Sequence, residues 1–189
     1  FAVADALRAR NLPVLTLGTA DDPPPRDGTW LRKALHGAGG TGVAVWGDHV
    51  DDSRHATPHY FQRRAIGDSF SALYVAGRDT EGRHKTVFVG VTRQLIGEPA
   101  FHTGPFQYCG SLGPLTFPAP AMCELASFGE AITEFADLRG LFGCDFIFDD
   151  GHFWLAEVNP RYTASHEVYE RAWNVPRVAL RRLPRRMQQ

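Results

Sequence analysis

The sequence predicts an α+β fold with mainly antiparallel sheets, and two observations carry this prediction. Residues 69–76 and 85–95 are apolar or alternate apolar with polar side chains, and the polar segment 78–83 between them suits a hairpin connection. Helical periodicity lies elsewhere, above all in 121–138, where apolar residues recur at steps of three and four. Strands in clusters with helices between them are typical of α+β proteins, and 189 residues suffice for one domain or two subdomains.

The remaining elements follow from similar signals along the chain. Three consecutive prolines make 21–27 a loop, and the glycine- and proline-rich stretch 97–120 is predicted to be a surface loop. Gly140 is expected to end the long helix. Further helices are predicted at 4–11 and 165–173, and further extended segments at 12–17, 29–35, 43–46, 60–66, 144–148 and 153–158.

Composition and charge restrict the class of protein. The chain is 43% hydrophobic and 22% charged, as soluble globular proteins are, and it has no apolar run of the roughly 18 residues that span a membrane. A net charge of -1 disfavours a protein that coats nucleic acid or an anionic membrane. Three cysteines without CxxC spacing disfavour a disulfide framework or a zinc ribbon, so we expect a reducing, cytoplasmic location.

The N-terminus and the basic residues add two expectations. The chain begins with Phe1, and early charges at Asp5 and Arg8 exclude a signal peptide, so we expect a fragment that starts inside a longer protein. Of the 20 basic residues, only Lys33 and Lys85 are lysines. A lysine in a structured place therefore suggests a need for an ammonium group.

The most informative stretch is the acidic hairpin DFIFDDGHFWLAEVNPR at 145–161. A three-residue turn at 149–151 would set Asp145 opposite Leu155, whereas a two-residue turn would shift the register by one and separate the acids. Side chains two apart on a strand share a face. We therefore predict one face with three polar side chains, Asp145, Glu157 and Asn159.

Two carboxylates and an amide oxygen on one face suit a hard cation. Mg²⁺ prefers such ligands and takes the rest from water and phosphates, so we predict one or two Mg²⁺ ions, with Mn²⁺ as an alternative. The other interpretation is a surface hairpin whose acids are merely solvated. The apolar run around Leu155 disfavours it, because a solvated hairpin needs no such run.

A second motif joins a lysine to glycines. Lys33 lies on a predicted strand just before the sequence HGAGGTG at 36–42. Glycines let backbone N–H groups approach phosphate oxygens, and an ammonium neutralises phosphate charge. The motif is neither a Walker A sequence nor GxGxxG opening a helix. Taken alone it is better explained as a hairpin tip, so its phosphate-binding role depends on combination with the acidic hairpin.

Together these motifs resemble the ATP-grasp superfamily, whose members have a lysine strand, a glycine-rich lid loop, an adenine hinge and a magnesium-binding D…E-x-N-P-R hairpin. The matches are WLRK with HGAGGTG, then QRRAIG at 62–67, then DFI and EVNPR. The hinge carries arginines where the family has an acid and an aromatic, which leaves adenine contacts largely to backbone. The resemblance implies an α+β fold of two subdomains with mainly antiparallel sheets enclosing ATP.

The resemblance also implies roles for particular residues. Lys33 would hold α- or β-phosphate oxygens and Arg161 would steady the γ-phosphate, and these are the implied catalytic residues. The implied metal ligands are Asp145, Glu157 and Asn159. The implied nucleotide-binding residues are Lys33, Gly37, Gly39, Gly40, Gly42, Gln62, Arg63, Ala65 and Ser71.

The implied organisation has four parts. The family's N-terminal subdomain would precede Phe1. The chain then comprises the end of that subdomain and a linker (1–28), a small lid (29–61), a large ATP- and metal-binding subdomain (62–174) and a basic tail (175–189).

The activity that the resemblance implies is ligation of a small-molecule carboxylate to an amine through an acylphosphate, with MgATP between lid and large subdomain. VTRQLIG and Tyr108-Cys109-Gly110-Ser111 resemble ligases of one-carbon carrier biosynthesis, of methanofuran and methanopterin type. The alternative is a catalytically incomplete ATP-binding module. A hydrolase with paired acids explains neither Asn-Pro-Arg nor the lysine loop. We expect no membrane or nucleic-acid partner and leave a homodimer open.

Three further features stay open or have a plain explanation. The stretch 48–55, with His59 beyond it, could bind a transition metal, but a polar loop is favoured because the ligands share no regular spacing. Arg93 faces either phosphates or solvent. The arginine-rich tail could touch nucleic acid, although a frayed chain end is favoured.

Overall fold

The computed structural model describes residues 1–37, 39–47 and 57–174. These residues form two compact units, which we call the larger and the smaller unit. The larger unit comprises 1–14, 67–94 and 110–174, and the smaller unit comprises the described parts of 15–66 and 95–109. Both contain antiparallel sheets, so the predicted α+β class is confirmed. No described helix is long and apolar enough to cross a membrane.

The smaller unit is built on a four-stranded antiparallel sheet. Its strands are β1 (Leu17–Gly18), β2 (Asp27–Ala34), β3 (Val43–Gly47) and β4 (His59–Arg63), in the spatial order β1-β4-β2-β3. Trp46 and Phe61 are buried in this unit, with ring centroids 4.8 Å apart. The Trp46 indole N–H donates to the Pro24 carbonyl at 2.9 Å, which fixes the proline loop to the sheet.

The larger unit is built on a five-stranded antiparallel sheet in the order β7-β6-β5-β8-β9 and on three helices. Residues 95–96 and 108–109, at the ends of two of its strands, belong to the smaller unit. The strands are β5 (Asp68–Arg78), β6 (His84–Ile96), β7 (Tyr108–Leu115), β8 (Gly140–Asp149) and β9 (His152–Asn159). The helices are α1 (Ala2–Arg8), α2 (Ala119–Ala136) and α3 (Ala164–Ala172).

One face of the five-stranded sheet carries the hydrophobic core against α2. Tyr74 stacks on Phe142 at 4.8 Å between ring centroids, and its hydroxyl donates to the Leu125 carbonyl at 2.7 Å. A Cβ on Gly129 would lie 2.3 Å from the Tyr74 ring, so the glycine is what lets the helix approach this closely. The predicted apolar stripe of the helix is mostly buried, but Phe135 is 46% exposed.

Two predictions for the segment before β8 are wrong. The predicted surface loop 97–120 contains β7 and the start of α2. Glycine and proline mask this strand in the sequence, and they are tolerated because β7 lies at the edge of the sheet. The last helical residue is Ala136, and Asp137, in the left-handed conformation, caps the helix. Gly140, which was predicted to end the helix, is instead the first residue of β8.

Candidate active site

The acidic hairpin differs from the prediction in its turn. Asp149 pairs with His152, so the turn contains only Asp150 and Gly151. Both turn residues have positive φ, 49° and 80°, as a type I′ turn requires. The predicted three-residue turn is therefore wrong, and the sequence DG was the signal for the shorter turn.

A β-bulge restores the convergence of the two acids. Phe146 pairs with Leu155, but the next pair along is Asp145 with Glu157, which leaves Ala156 as an extra residue on β9. The predicted pairing of Asp145 with Leu155 is wrong for the same reason. The shorter turn and the bulge each shift the register by one residue in the same direction, so the partner of Asp145 moves from Leu155 to Glu157. A total shift of two residues keeps the same face, and the two acids therefore lie opposite each other on one face of the sheet.

The acids end a polar row that crosses four strands of the larger unit. Thr92 on β6 pairs with Ser71 on β5, Ser71 pairs with Asp145 on β8, and Asp145 pairs with Glu157 on β9. Directly opposite residues share a face, so this row interrupts an otherwise largely apolar sheet. Thr92 and Ser71 are fully buried, whereas Glu157 is exposed.

Two amides hold the carboxylate of Asp145. The Asn159 side-chain N–H donates to Asp145 Oδ2 at 2.9 Å, and the Gln94 side-chain N–H donates to Asp145 Oδ1 at 3.0 Å. The exposed Arg161 guanidinium donates to Asn159 Oδ1 at 3.2 Å. Asp145, Asn159 and Arg161 are therefore joined in one hydrogen-bonded series.

The donor set has the chemistry of a magnesium site. Asp145, Glu157 and Asn159 supply two carboxylates and an amide oxygen, the ligands that Mg²⁺ prefers. Within residues 1–37, 39–47 and 57–174 no three His, Cys, Asp or Glu side chains form a metal-binding group, so an ion here would take this mixed set.

Cys144 lies beside the acids but is not suited to bind a metal. The thiol is fully buried, and burial raises its pKa well above the ordinary value, with a smaller contribution from the Asp145 carboxylate. A thiol ligates metals as the thiolate. Cys144 therefore packs as a core residue.

In the smaller unit, Lys33 lies on β2 beside β4. Its ammonium donates to Gln62 Oε1 at 3.2 Å and lies 5.8 Å from the centroid of the Tyr60 ring. These contacts orient the lysine on its strand. They also bring together two residues that the sequence analysis assigned to nucleotide binding.

The glycines after Lys33 are required by their own surroundings. A Cβ on Gly40 would lie 1.8 Å from the Phe106 carbonyl oxygen, and one on Gly37 would lie 2.5 Å from the Thr41 oxygen. Gly42 has φ +80° and faces the Ala34 side chain, whereas Gly39 has open space around it. Close packing therefore explains three of the four glycines without a ligand, and the positive φ of Gly39, +59°, explains the fourth.

The predicted hinge residues lie on β4 and beyond it. Arg63 donates to the Thr29 hydroxyl at 2.9 Å, and its guanidinium lies 5.7 Å from the Trp30 ring centroid. Ala65 is half-buried, and the chain passes from the smaller to the larger unit after Ile66.

Ser71, the last predicted nucleotide-binding residue, lies in the polar row beneath the acids. Its hydroxyl is buried and has no hydrogen-bond partner among the described residues.

The sequence analysis missed two groups of polar residues. Gln94 contacts Asp145, and the polar alternation of Thr92 with Gln94 in an apolar strand was the available signal. The other group lies on α3, where His166 Nδ1 accepts a hydrogen bond from the Thr163 backbone N–H at 3.0 Å. A threonine three residues before a polar side chain at a helix start was the signal there.

The His166 group on α3 is buried and continues along the helix. Tyr162 stacks on the His166 ring at 4.9 Å and donates to Glu170 Oε2 at 2.8 Å. Burial lowers the pKa of His166 below its usual value, despite a hydrogen bond to Thr163 and the Glu170 charge. His166 is therefore a neutral ring at physiological pH.

Other sequence features have simpler outcomes. Arg93 is exposed and donates to Asp68 at 2.8 Å, so it forms an ion pair at the surface. The stretch 48–55 and the basic tail 175–189 lie outside the described residues, whereas His59 lies within them and its ring nitrogen bonds the Thr57 carbonyl.

Comparison with known proteins identifies the family. A family model described as an ATP-grasp domain matches residues 1–165. The chain therefore belongs to the ATP-grasp family, and the predicted resemblance is confirmed.

Individual relatives are more distant. An uncharacterized protein of Methanocaldococcus jannaschii is 26% identical over 145 residues, which are 75% of this chain and 33% of that protein. A putative ATP-grasp superfamily protein from Archaeoglobus fulgidus superimposes with a TM-score of 0.62 at 20% identity, over 90% of this chain and 47% of that one. The chain thus spans about a third of that curated relative.

Two enzymes share the fold at lower identity. N5-carboxyaminoimidazole synthetase from Staphylococcus aureus, complexed with ADP, gives a TM-score of 0.64 at 13% identity, over 88% of this chain and 46% of that one. Biotin carboxylase from Campylobacter jejuni, complexed with β,γ-ATP, gives 0.64 at 15% identity, over 89% and 41%. At such identities the similarity concerns the fold alone.

Proposed function

We propose that this chain is the nucleotide- and metal-binding part of an ATP-dependent ligase that joins a small-molecule carboxylate to an amine. One observation carries the proposal: Asp145, Asn159 and Arg161 are joined by hydrogen bonds, and Glu157 lies opposite Asp145 on the same face. In an ATP-grasp chain, this arrangement supplies oxygen ligands for Mg²⁺ and a guanidinium beside them.

The proposed reaction has two steps. An oxygen of the substrate carboxylate attacks the γ-phosphorus of ATP, and the bond between that phosphorus and the bridging oxygen breaks. ADP departs as the leaving group, and the substrate becomes an acylphosphate. The amine nitrogen then attacks the acyl carbon, the carbon–oxygen bond breaks, and phosphate leaves as the nitrogen loses a proton. Neither step needs a covalent nucleophile from the protein, because positioning and charge stabilisation supply most of the rate.

The chain's own residues have distinct roles in this proposal. Asp145, Glu157 and Asn159 would hold Mg²⁺, which neutralises charge on the phosphates when bound. Lys33 would contact phosphate oxygens as a point charge. Arg161 would hold the γ-phosphate, because its planar guanidinium can donate two parallel hydrogen bonds.

The nucleotide-binding roles of the other residues are part of the same proposal. The backbone at Gly39 and its neighbouring glycines would approach the phosphates, and Gln62, Arg63 and Ala65 would line the adenine. The deep burial of Ser71 supports a role beneath the metal ligands more than one at the nucleotide's surface.

A second candidate is an ATP-binding module without catalysis. The contacts that carry the first proposal favour it equally, because the joined Asp145, Asn159 and Arg161 and the Lys33–Gln62 contact concern nucleotide and metal binding alone. Both candidates predict MgATP binding, but only the ligase predicts release of phosphate when a carboxylate and an amine are present.

The test compares Glu157→Gln with the wild-type chain. We expect calorimetry to detect MgATP binding to the wild type, and we expect Glu157→Gln to lose it by at least about tenfold because a metal-ligating charge becomes a neutral amide. Phosphate release with a panel of carboxylates and amines should fall in parallel. Glu130→Gln removes an exposed carboxylate from α2 and should change neither.

Three outcomes separate the candidates. MgATP binding with phosphate release that depends on Glu157 supports the ligase. MgATP binding without phosphate release on any substrate pair supports the binding module. If folded wild-type chain does not bind MgATP, or Glu157→Gln retains full affinity, the metal assignment is wrong.

A further inference from the structure

We infer that Gln94 is a positioning residue of the metal site, which orients the Asp145 carboxylate without binding the metal itself. The inference rests on the proposed function and adds to it a residue outside the D…E-x-N-P-R motif. Its basis is the hydrogen bond of 3.0 Å from the Gln94 side-chain N–H to Asp145 Oδ1.

The two amides fix the carboxylate plane. A single hydrogen bond would leave the carboxylate free to rotate about its terminal torsion, which is a broad and soft one. Gln94 donates to Oδ1 while Asn159 donates to Oδ2 at 2.9 Å, so both oxygens of the carboxylate are held. The carboxylate plane is therefore fixed, which is what a cation with strict geometry requires.

The sheet explains how Gln94 reaches Asp145. The two residues lie on β6 and β8, which are separated by β5 and are therefore about 10 Å apart at the backbone. The intervening strand carries Ser71 directly opposite Asp145. Gln94 lies two residues beyond Thr92, the partner of Ser71, so its long side chain reaches Asp145 diagonally across β5, where the side chain of Ser71 is small and buried.

An amide is the suitable donor at this position. A guanidinium in the same place would bring a positive charge, as Arg78 does at Asp137, where hydrogen bonds from Arg78 and His84 lower the pKa of the carboxyl. At Asp145, such a charge would offset the negative charge of the carboxylate that attracts a divalent cation. Gln94 is neutral, so it orients the Asp145 carboxylate and leaves the negative charge of that group available to the metal ion.

The experiment measures Mn²⁺ binding in the presence of ATP for the full 189-residue chain, with free Mn²⁺ followed by electron paramagnetic resonance. The variants are Gln94→Met, which keeps the length of the side chain but has no donor, and Gln94→Ala. We expect both to weaken Mn²⁺ about tenfold to a hundredfold, the range for loss of a partner that orients a metal ligand. Thermal unfolding midpoints should stay close to that of the wild type for Gln94→Met.

The matched control is Arg93→Gln. Arg93 is the preceding residue on β6, and its side chain pairs with Asp68 rather than with Asp145. This control should bind Mn²⁺ as the wild type does. A purely structural role of Gln94 would lower the unfolding midpoint and leave the Mn²⁺ affinity of the folded chain unchanged.

The outcomes separate this inference from the proposed function. If the wild type binds Mn²⁺ with ATP and Gln94→Met binds it equally well, the positioning role is wrong and the metal site stands. If Gln94→Met loses affinity while Arg93→Gln does not, the role is supported. If the folded wild type shows no Mn²⁺-dependent binding of ATP, both the inference and the metal site are wrong.

Discussion

The acidic hairpin of the larger unit and the lysine strand of the smaller unit hold their polar residues in different ways. In the hairpin, Asp145 and Asn159 contact each other directly, and Arg161 follows in the same series. On the lysine strand, Lys33 contacts Gln62 from the neighbouring strand, while the glycines after it are largely explained by close packing.

The difference shows what strand pairing alone can accomplish. Cross-strand neighbours are held about 5 Å apart by the backbone, so a hairpin brings its acids together whether or not a ligand is present. Like charges at this distance repel, which a divalent cation would relieve. The contacts of Lys33 with Gln62 and Tyr60 involve no charge repulsion that a ligand would relieve, so they point less specifically to a ligand.

Replacing Gly90 should have the largest effect on stability, and it tests how strongly the larger unit, which contains the hairpin, depends on the packing of α3. Gly90 has φ +152°, and a Cβ there would lie 2.1 Å from the Tyr169 hydroxyl of α3. That hydroxyl donates to the Val91 carbonyl at 3.0 Å. We expect Gly90→Ala to lower the free energy of unfolding by about 3 kcal/mol, from overpacking and backbone strain together.

Chemical denaturation measures this loss, and Gly47→Ala is the control. Gly47 is in the smaller unit and has open space where its Cβ would be, so the substitution should change the free energy of unfolding by less than about 1 kcal/mol. Equal effects of the two variants would contradict the packing argument.

Replacing Lys33 should have an intermediate effect on binding. Lys33→Met keeps an apolar stem of similar length and removes the ammonium, so we expect ATP affinity to fall about tenfold, or about 1.4 kcal/mol. Lys85→Met is the matched control, because Lys85 is the other lysine of the chain and is exposed on β6. Calorimetric titration with MgATP distinguishes the two, and equal affinities would remove Lys33 from the proposed site.

Replacing His166 should have the smallest effect, which is a change in how the free energy of unfolding depends on pH. Because burial lowers the pKa of His166, the unfolded chain takes up a proton near the ordinary value of about 6.5, where the folded chain does not. The resulting stability is present above about pH 6.5 and is lost as the pH falls through the lowered value. The free energy of unfolding should therefore decrease between pH 7 and pH 5.

His166→Gln should reduce that decrease, since glutamine can still accept the Thr163 hydrogen bond but does not titrate. Denaturation curves at both pH values measure the slope, and an unchanged slope in His166→Gln would contradict the burial argument.

Most strands and helices could be predicted from apolar periodicity, but edge strand β7 could not. Its glycines and proline carry loop signals, and only its position at the sheet edge makes them acceptable. The prediction that Asp145 and Glu157 share a face is confirmed, although the turn and the pairing on which it was based are wrong. The register that produces the shared face could not be predicted, because a bulge at Ala156 has no sequence signal of its own.

Gln94 illustrates a different limit. The alternation of Thr92 with Gln94 indicates a polar face, but Gln94 and Asp145 lie on strands that are neither adjacent in the sheet nor close in sequence, so no local pattern indicates that they meet. The same holds for the packing of Tyr169 of α3 over Gly90 of β6. Periodicity assigns a residue to a face, but strand order decides which residues on that face meet.

The bulge at Ala156 has a consequence for comparing this hairpin with its relatives. A hairpin with one more residue in its turn and none in its strand would still set Asp145 opposite Glu157, because only the sum of the two matters. In relatives of this hairpin, an insertion in the turn can therefore be compensated by a deletion in the strand, and the pairing of the two acids is preserved. Engineering of the hairpin should treat the length between the two acids, rather than the turn, as the quantity to preserve.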